Sequence, residues 1–316
     1  MQGLITGMFS ALILSLILSF VFIPQLKKLK LGQYVRDDGP ASHLKKAGTP
    51  TMGGLIFLGA ITIALLLSGE ITDKIGILLF VTISTGMLGL IDDYRKVVQK
   101  RSLGLQGRYK VIGQLLIVAI ISLYLIEVGH TTNVDIPFTV WELEIGLFYY
   151  ILLIFMLLGT SNAVNITDGV DGLAAGVVMI SMAGFTLIAL ANDQNDIAFF
   201  GMTVIGGCLG FIIFNVHPAK IFMGDVGSLA LGGTLASMAV LTKAELWLII
   251  IGLPLVIETL SVIVQVAVFQ TTGQRVLKMS PVHHHLELSG WSEWKVVTVF
   301  WGATLLTTAV SVLYII

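Results

Sequence analysis

The chain has one cysteine in 316 residues, Cys208, and it lies inside an apolar run. No intramolecular disulfide is open to it, nor a cysteine-built zinc site, and Cys208 reads as a small buried hydrophobe. Charge is also scarce. Asp, Glu, Lys and Arg make up 12% of the sequence, against roughly 25% in soluble domains, which argues against a soluble globular fold. The formal net charge of -1 says little about partners, because the distribution matters more, and no nucleic-acid partner is expected. The apolar runs lack the period-two alternation, in segments of about ten residues, that marks an outer-membrane barrel. No Lys or Arg precedes the first run, Gly3–Ile23. A cleavable leader wants positive charge ahead of its apolar stretch, so this run is expected to be a retained first helix. A GxxxxGK[ST] phosphate loop is missing, as is the ligand spacing of an EF-hand.

What the chain does have is hydrophobicity: 56% of residues are apolar and the mean hydropathy is +0.94. Crossing a bilayer takes about 20 consecutive apolar residues. Such runs predict an all-α polytopic membrane protein, one transmembrane domain over 1–316, with ten spans: 3–23, 52–69, 74–91, 109–127, 147–164, 173–191, 197–215, 227–242, 246–268 and 296–316. All 18 lysines and arginines except Lys74 and Lys243 fall in or beside the connections after odd-numbered spans. Positive residues stay inside, so those connections, near 24–51, 92–108, 165–172, 216–226 and 269–295, are expected to be cytoplasmic, with both termini outside. The loop 128–146 then lies outside, and the partial alternation of VDIPFTVWELEI suits a small hairpin there.

The polar clusters gather on the same side. GLIDDYRK places Asp92 and Asp93 at the end of span three, and NAVNITDGVDG places Asn162, Asn165, Asp168 and Asp171 after span five. FNVHPAKIFMGDVGS follows span seven with Asn215, His217, Lys220, Asp225 and Ser228, and SPVHHHLELSGW follows span nine with His283, His284, His285 and Glu287. Each cluster has a plainer reading. Asp92 precedes Arg95 and Lys96 at i+3 and i+4, the spacing of an ordinary surface pair. Asp168 and Asp171, three apart, suit one helix face or a cap on the next helix. Three successive histidines cannot converge on one ion from a helix, where neighbours diverge by about 100°, so hydrogen bonding to phosphate or a polar substrate is the better use. Glu258, inside span nine and four residues past Pro254, is either a functional intramembrane acid or a neutral group holding a helix break in place. Gln265 lies near the same face. Carboxylates and lysines at one membrane face suit a magnesium-bound phosphate substrate, and the setting suggests that one substrate is a lipid.

VRDDGPASHLKKAGTPTMGG, GLIDDYRK, NAVNITDGVDGLAAG, IFMGDVGSLALGG and SPVHHHLELSGW resemble the signature loops of the phospho-N-acetylmuramoyl-pentapeptide transferase family. That family belongs to the polyprenyl-phosphate hexosamine-1-phosphate transferases. The resemblance runs in order from about residue 35 to 294. It implies ten transmembrane helices and an Mg²⁺-dependent reaction. Phospho-MurNAc-pentapeptide passes from its UDP carrier to undecaprenyl phosphate, giving lipid I and UMP, in the first membrane step of peptidoglycan synthesis. It also implies a homodimer in the bacterial cytoplasmic membrane. By analogy Asp225 is the first metal ligand, with Asp92 and Asp93 on the metal or lipid-phosphate side, and His283 joins them as catalytic. Lys46, Thr51, Lys96, Lys110, Asn162, Asn165, Asp168, Asp171, Asn215, Phe222, Gln265, His284 and His285 would bind substrate. Within that set Lys46 and Asp171 lie near the uridine, Phe222 stacks on the uracil, and Lys96 and Lys110 hold phosphates. The nearest rival is a polyprenyl-phosphate GlcNAc-1-phosphate transferase. An ion-coupled transporter, which keeps acids near the midplane, finds support only in Glu258.

Overall fold

The computed structural model describes residues 2–28, 48–97, 99 and 104–316. Each expected span is met by a helix: α1 Gln2–Lys28, α2 Gly54–Ser68, α3 Asp73–Val97, α4 Gly107–Glu127, α5 Phe148–Thr167, α6 Leu173–Ala191, α7 Asn195–Asn215, α8 Gly224–Leu241, α9 Trp247–Ile251 with α10 Leu253–Thr272, and finally α12 Glu293–Ile315. A short helix, α11 Val282–Glu287, carries the three histidines. Among the described residues nine helices are long and apolar enough to cross a membrane, and α2 is a shorter apolar one. The protein is an all-α, multi-pass membrane protein. Its ninth span breaks at Gly252, because Pro254 follows in the first turn of α10 and a proline has no N–H to continue the ladder.

In lipid, helices associate by close packing rather than by hydrophobic burial, so small residues mark the contacts. Helix α8, GDVGSLALGGTLASMAVL, is buried at every position from Val226 onward. It packs against α3, α5, α2 and α6, while α7 packs against α1, α6 and α2. At the crossing of α3 and α8, Gly89 lies so close that a Cβ there would collide with the Asp225 carbonyl. Helices α4 and α10 lie outside this core. Leu116, Leu123 and Ile126 of α4, and Ile257 and Ile263 of α10, are exposed, as lipid-facing residues should be.

Helix α2 spans about 22 Å at 1.5 Å per residue, less than the ~30 Å hydrocarbon core. The chain ahead of it is tied into the bundle instead. Phe222 N–H donates to Pro50 O at 2.8 Å, and Gly53 and Gly54 N–H donate to Phe222 O and Met223 O at 2.9 and 2.8 Å. Irregular backbone is tolerated this way when protein satisfies it. Helices α2 and α8 therefore both begin at one recessed floor, and Asp225 stands on it.

On the opposite face the expected hairpin forms. β1 Asn133–Asp135 pairs antiparallel with β2 Glu142–Glu144, with Val134 opposite Leu143. Beneath it lies a polar network that the sequence did not suggest. His130 Nε2 lies 3.0 Å from the Tyr149 hydroxyl. That hydroxyl donates to Glu245, and Lys243 Nζ donates to Glu245 at 3.2 Å. Burial first, and Lys243 second, lower the His130 pKa from 6.5 to about 4. The unfolded chain thus binds a proton between these values that the folded chain does not, so stability is complete above pH 6.5 and falls as pH drops toward 4. Glu245, raised chiefly by burial, acts in the other direction and is common to both proteins compared. In detergent, the melting temperature of the wild type is expected to fall more steeply between pH 6.5 and 4 than that of His130→Gln. Parallel curves would refute this account of His130.

Candidate active site

Asp92, Asp93 and Lys96 lie on the last turns of α3, which continues to Val97 beyond the apolar run. Asp225 lies in the first turn of α8. One oxygen from each of the three carboxylates falls within 4.8 Å of the others. Two lysines bridge Asp92 and Asp225. Lys96 Nζ is 2.5 Å from Asp92 Oδ2 and 3.1 Å from Asp225 Oδ2, and Lys110 Nζ is 3.0 Å from Asp92 Oδ1 and 2.8 Å from Asp225 Oδ2. Asp92 also accepts Leu105 N–H at 2.7 Å. Asp93 accepts Val226 N–H at 3.0 Å, which satisfies one of the donors left open at the start of α8. The Asp92–Lys96 pair does form at i,i+4, but Asp92 is 1% exposed and its cation is shared with another helix. The surface-pair reading of Asp92 is therefore corrected.

Two glycines in the left-handed region shape this cluster. Gly224 has φ 73° and Gly104 φ 55°; a Cβ would come within 2.5 Å of Asp93 Oδ2 at the first and 2.7 Å of Asp92 Oδ1 at the second. A buried threonine, Thr51, lies beside Gly224. Three carboxylates facing two ammonium groups, in a space kept clear of side chains, fit a hard divalent ion that takes oxygen ligands.

The Asn165–Asp171 stretch forms the next wall. Asn165 Nδ2 donates to Ser228 Oγ at 2.8 Å, tying the end of α5 to α8. Neither aspartate caps α6, whose N-cap is Gly172 with no side-chain bond. Asp168 instead follows the end of α5, its backbone N–H donating to Val164 O at 3.1 Å. Burial first, then the carboxylates of Asp225, Asp93 and Asp171, hold its carboxyl well above the usual range. Asp171 accepts Ala219 N–H at 3.0 Å and lies 3.2 Å from His217 Nδ1, which is also 3.3 Å from Glu293 Oε2. Asn215 clamps the two loops, accepting from Gly172 N at 3.2 Å and donating to Ile221 O at 3.0 Å. Phe222 is half-buried beside this floor.

The histidines diverge, as helical geometry requires. His283 is fully buried and held by Glu258, with Nδ1 2.8 Å from its Oε2. His284 Nδ1 meets Glu287 at 2.9 Å, and His285 Nδ1 accepts Lys278 N–H at 3.1 Å. Two expected residues are not brought to the carboxylates. Exposed Asn162 folds back onto Leu158 O of its own helix. Gln265 accepts from Val276 and Leu277 N–H and donates to Leu277 O, bracing the chain ahead of α11. Lys46 lies outside the described residues. Sequence reasoning did not include His217, Glu258 or Glu293 among the site residues. Glu258 was visible as an intramembrane acid, whereas Glu293 looks like any acid opening a helix.

A multi-pass helical bundle with this site is a membrane-embedded glycosyl transferase, and residues 75–243 match the model of Glycosyl transferase family 4. Residues 46–58 match Phospho-N-acetylmuramoyl-pentapeptide-transferase signature 1. The chain is similar to the Phospho-N-acetylmuramoyl-pentapeptide-transferase of Geobacillus kaustophilus (strain HTA426), 52% identical over 96% of this chain and 95% of that protein. It is likewise similar to the same-named protein of Bacillus subtilis (strain 168), 49% identical over 95% of this chain and 94% of that protein. The chain belongs to the phospho-N-acetylmuramoyl-pentapeptide transferase family.

Proposed function

We propose that this chain transfers phospho-MurNAc-pentapeptide from its UDP carrier to undecaprenyl phosphate, releasing UMP and forming lipid I in peptidoglycan synthesis. The observation that carries this reading is the buried Asp92–Asp93–Asp225 cluster bridged by Lys96 and Lys110. In the reaction, an oxygen of the lipid phosphate attacks the sugar-bound phosphorus of the donor. The bond from that phosphorus to the bridging oxygen breaks, and UMP leaves. One pyrophosphate linkage is broken and one made, so no external energy source is needed.

Asp92, Asp93 and Asp225 would hold Mg²⁺, which when bound neutralises charge on the pyrophosphate and polarises its oxygens. Lys96 and Lys110 already reach Asp225 from two helices, and their flexible stems let the ammonium groups turn to phosphate oxygens as these arrive. Asp168 and Asp171 line the donor side with Phe222, and Asn165 and Asn215 hold that wall in place. For the lipid, an apolar cavity of about 260 Å³ runs between α5 and α9–α10, lined by Leu152, Phe155, Met156, Ala163, Leu255 and Leu260 among others. Ala163 stands two residues before Asn165, so a polyprenyl tail lying there would bring its phosphate toward the carboxylates. The acid-rich face is the cytoplasmic one in this reading, by its excess of lysine and arginine. The membrane is the bacterial inner membrane and residues 1–316 form one transmembrane domain. The family resemblance extends this reading to a homodimer.

Asp92 acts as a positioning group here rather than a general base. A phosphate monoester has its second pKa near 6, so the attacking oxygen is already ionised at neutral pH, and both Asp92 oxygens are ion-paired with lysines, Oδ1 also accepting Leu105 N–H. Asp92→Asn is expected to lower kcat by about 10²–10³-fold, by a similar factor from pH 6 to 8.5. A loss that deepens at low pH and disappears once the acceptor is fully ionised would establish the base role instead. The reading as a whole is tested by UMP release from purified protein with undecaprenyl phosphate and Mg²⁺, offering UDP-MurNAc-pentapeptide and UDP-GlcNAc separately. Release with the first alone and its loss on chelation are expected. Release with UDP-GlcNAc alone assigns the protein to the sister reaction.

A further inference from the structure

Glu258 has no part in the transfer described above, yet it is fully buried in α10. A carboxylate this deep persists only with fixed partners. Both of its partners belong to one residue. Oε1 accepts the backbone N–H of His283 at 3.1 Å, and Oε2 lies 2.8 Å from Nδ1 of the same ring. An ionised Glu258 can only accept; Nδ1 is then its donor, and a ring holding that single proton leaves Nε2 bare. His283 is itself fully buried, and its Nε2 has no hydrogen-bond partner among the described residues. That atom faces Gly169, where a Cβ would collide with it. Gly169 adjoins Asp168 and lies two residues before Asp171. An unpaired, buried acceptor is thus aimed at the stretch that lines the donor side.

We propose that Glu258 is a positioning residue of the donor pocket, acting through His283. It fixes one tautomer of the ring and presents the bare Nε2 to an N–H or O–H of the donor's sugar. This rests on the transfer reading above and deepens it. The tautomer decides the ligand chemistry, because a bare Nε2 accepts from an acetamido N–H or a hydroxyl and cannot hold a phosphate oxygen, which offers no proton.

The two-point grip makes the proposal testable by a nearly isosteric change. In Glu258→Gln one side-chain atom is an oxygen and the other an NH₂ group. The backbone N–H of His283 is a fixed donor and demands the oxygen. The NH₂ then faces Nδ1, which must accept, and the ring proton moves to Nε2. Glu258→Gln is expected to fold, with kcat/KM for the UDP-sugar donor down at least about 100-fold and KM for undecaprenyl phosphate unchanged. ¹⁵N NMR of histidine-labelled protein should show the His283 nitrogens exchanging their protonated and bare signatures. His283→Asn covers the case in which that variant does not fold: its Nδ2–H still donates to Glu258 but it has no atom in place of Nε2, and the same loss on the donor side alone is expected. Donor kcat/KM within threefold of wild type, either in His283→Asn or in Glu258→Gln with its tautomer exchanged, overturns the proposal. Equal losses toward donor and lipid, accompanied by lowered melting temperature, overturn it too, since they mark a merely structural pair. Wild-type protein is assayed first. Its failure to release UMP from any UDP-sugar sinks the transfer reading itself, an outcome distinct from those of the variants.

Discussion

Asp225→Asn is expected to cut UMP release by about 10³-fold or more at saturating Mg²⁺, a barrier increase of about 4 kcal/mol. The substitution keeps the shape of the side chain and removes one charge. Both lysines lie on Asp225 Oδ2, at 3.1 and 2.8 Å, so an amide must turn its oxygen toward them. Its NH₂ group then takes the other position, where it cannot ligate a cation and adds a donor beside Asp93. One change thus removes a ligand and leaves Asp92 as the anionic partner shared by both ammonium groups. The melting temperature should stay near wild type, because α8 remains packed on α3 and α5. An Asp225→Asn protein with activity within tenfold of wild type and an unchanged Mg²⁺ requirement would falsify the placement of the ion at this cluster.

Gly89→Ala is expected to damage both stability and activity, although residue 89 has no polar group to offer. A single methyl there meets the carbonyl oxygen of Asp225. That atom is backbone at the start of a buried helix and cannot rotate aside, so α3 and α8 must separate. Overpacking of this kind costs about 1–3 kcal/mol. The separation also moves Asp225 away from Asp92 and Asp93, and a misplacement of about 1 Å can cost about 10²-fold in rate. Gly76→Ala is the internal control, on the same helix with no atom within 4 Å of the added carbon. If the two variants melt alike and turn over alike, the close crossing does not set the geometry of the site.

These two residues also mark how far the sequence can be read. Asp225 stood out in the sequence as an acid between glycines. Gly89, in MLGLIDDY, looks like any small residue in a lipid-facing helix, and only the crossing of α3 with α8 reveals its role. The plainer readings of the acids failed for a similar reason. Asp92 and Lys96 do pair at helical spacing, but Asp92 is buried, and Asp225 and Lys110 pair with them from another helix each. Asp168 and Asp171 precede a helix without capping it, because Gly172 turns the chain first and Asp171 is drawn to Ala219 and His217 on another loop. Gln265 shares a helix with Glu258, yet one braces the chain at 276–277 and the other holds His283.

The sequence by itself determined the all-helical membrane class and where the long apolar helices fall. A bilayer core admits long apolar runs as helices that satisfy their own backbone, so these properties follow from counting. It also determined that acids, lysines and histidines collect on one face. Which of them meet was decided only by the tertiary structure. Contact between Glu258 and His283, or between Asp171, His217 and Glu293, depends on how each helix is rotated and where it breaks. Those quantities are set by close packing among glycines, alanines and serines from distant parts of the chain, and no local run of residues carries them.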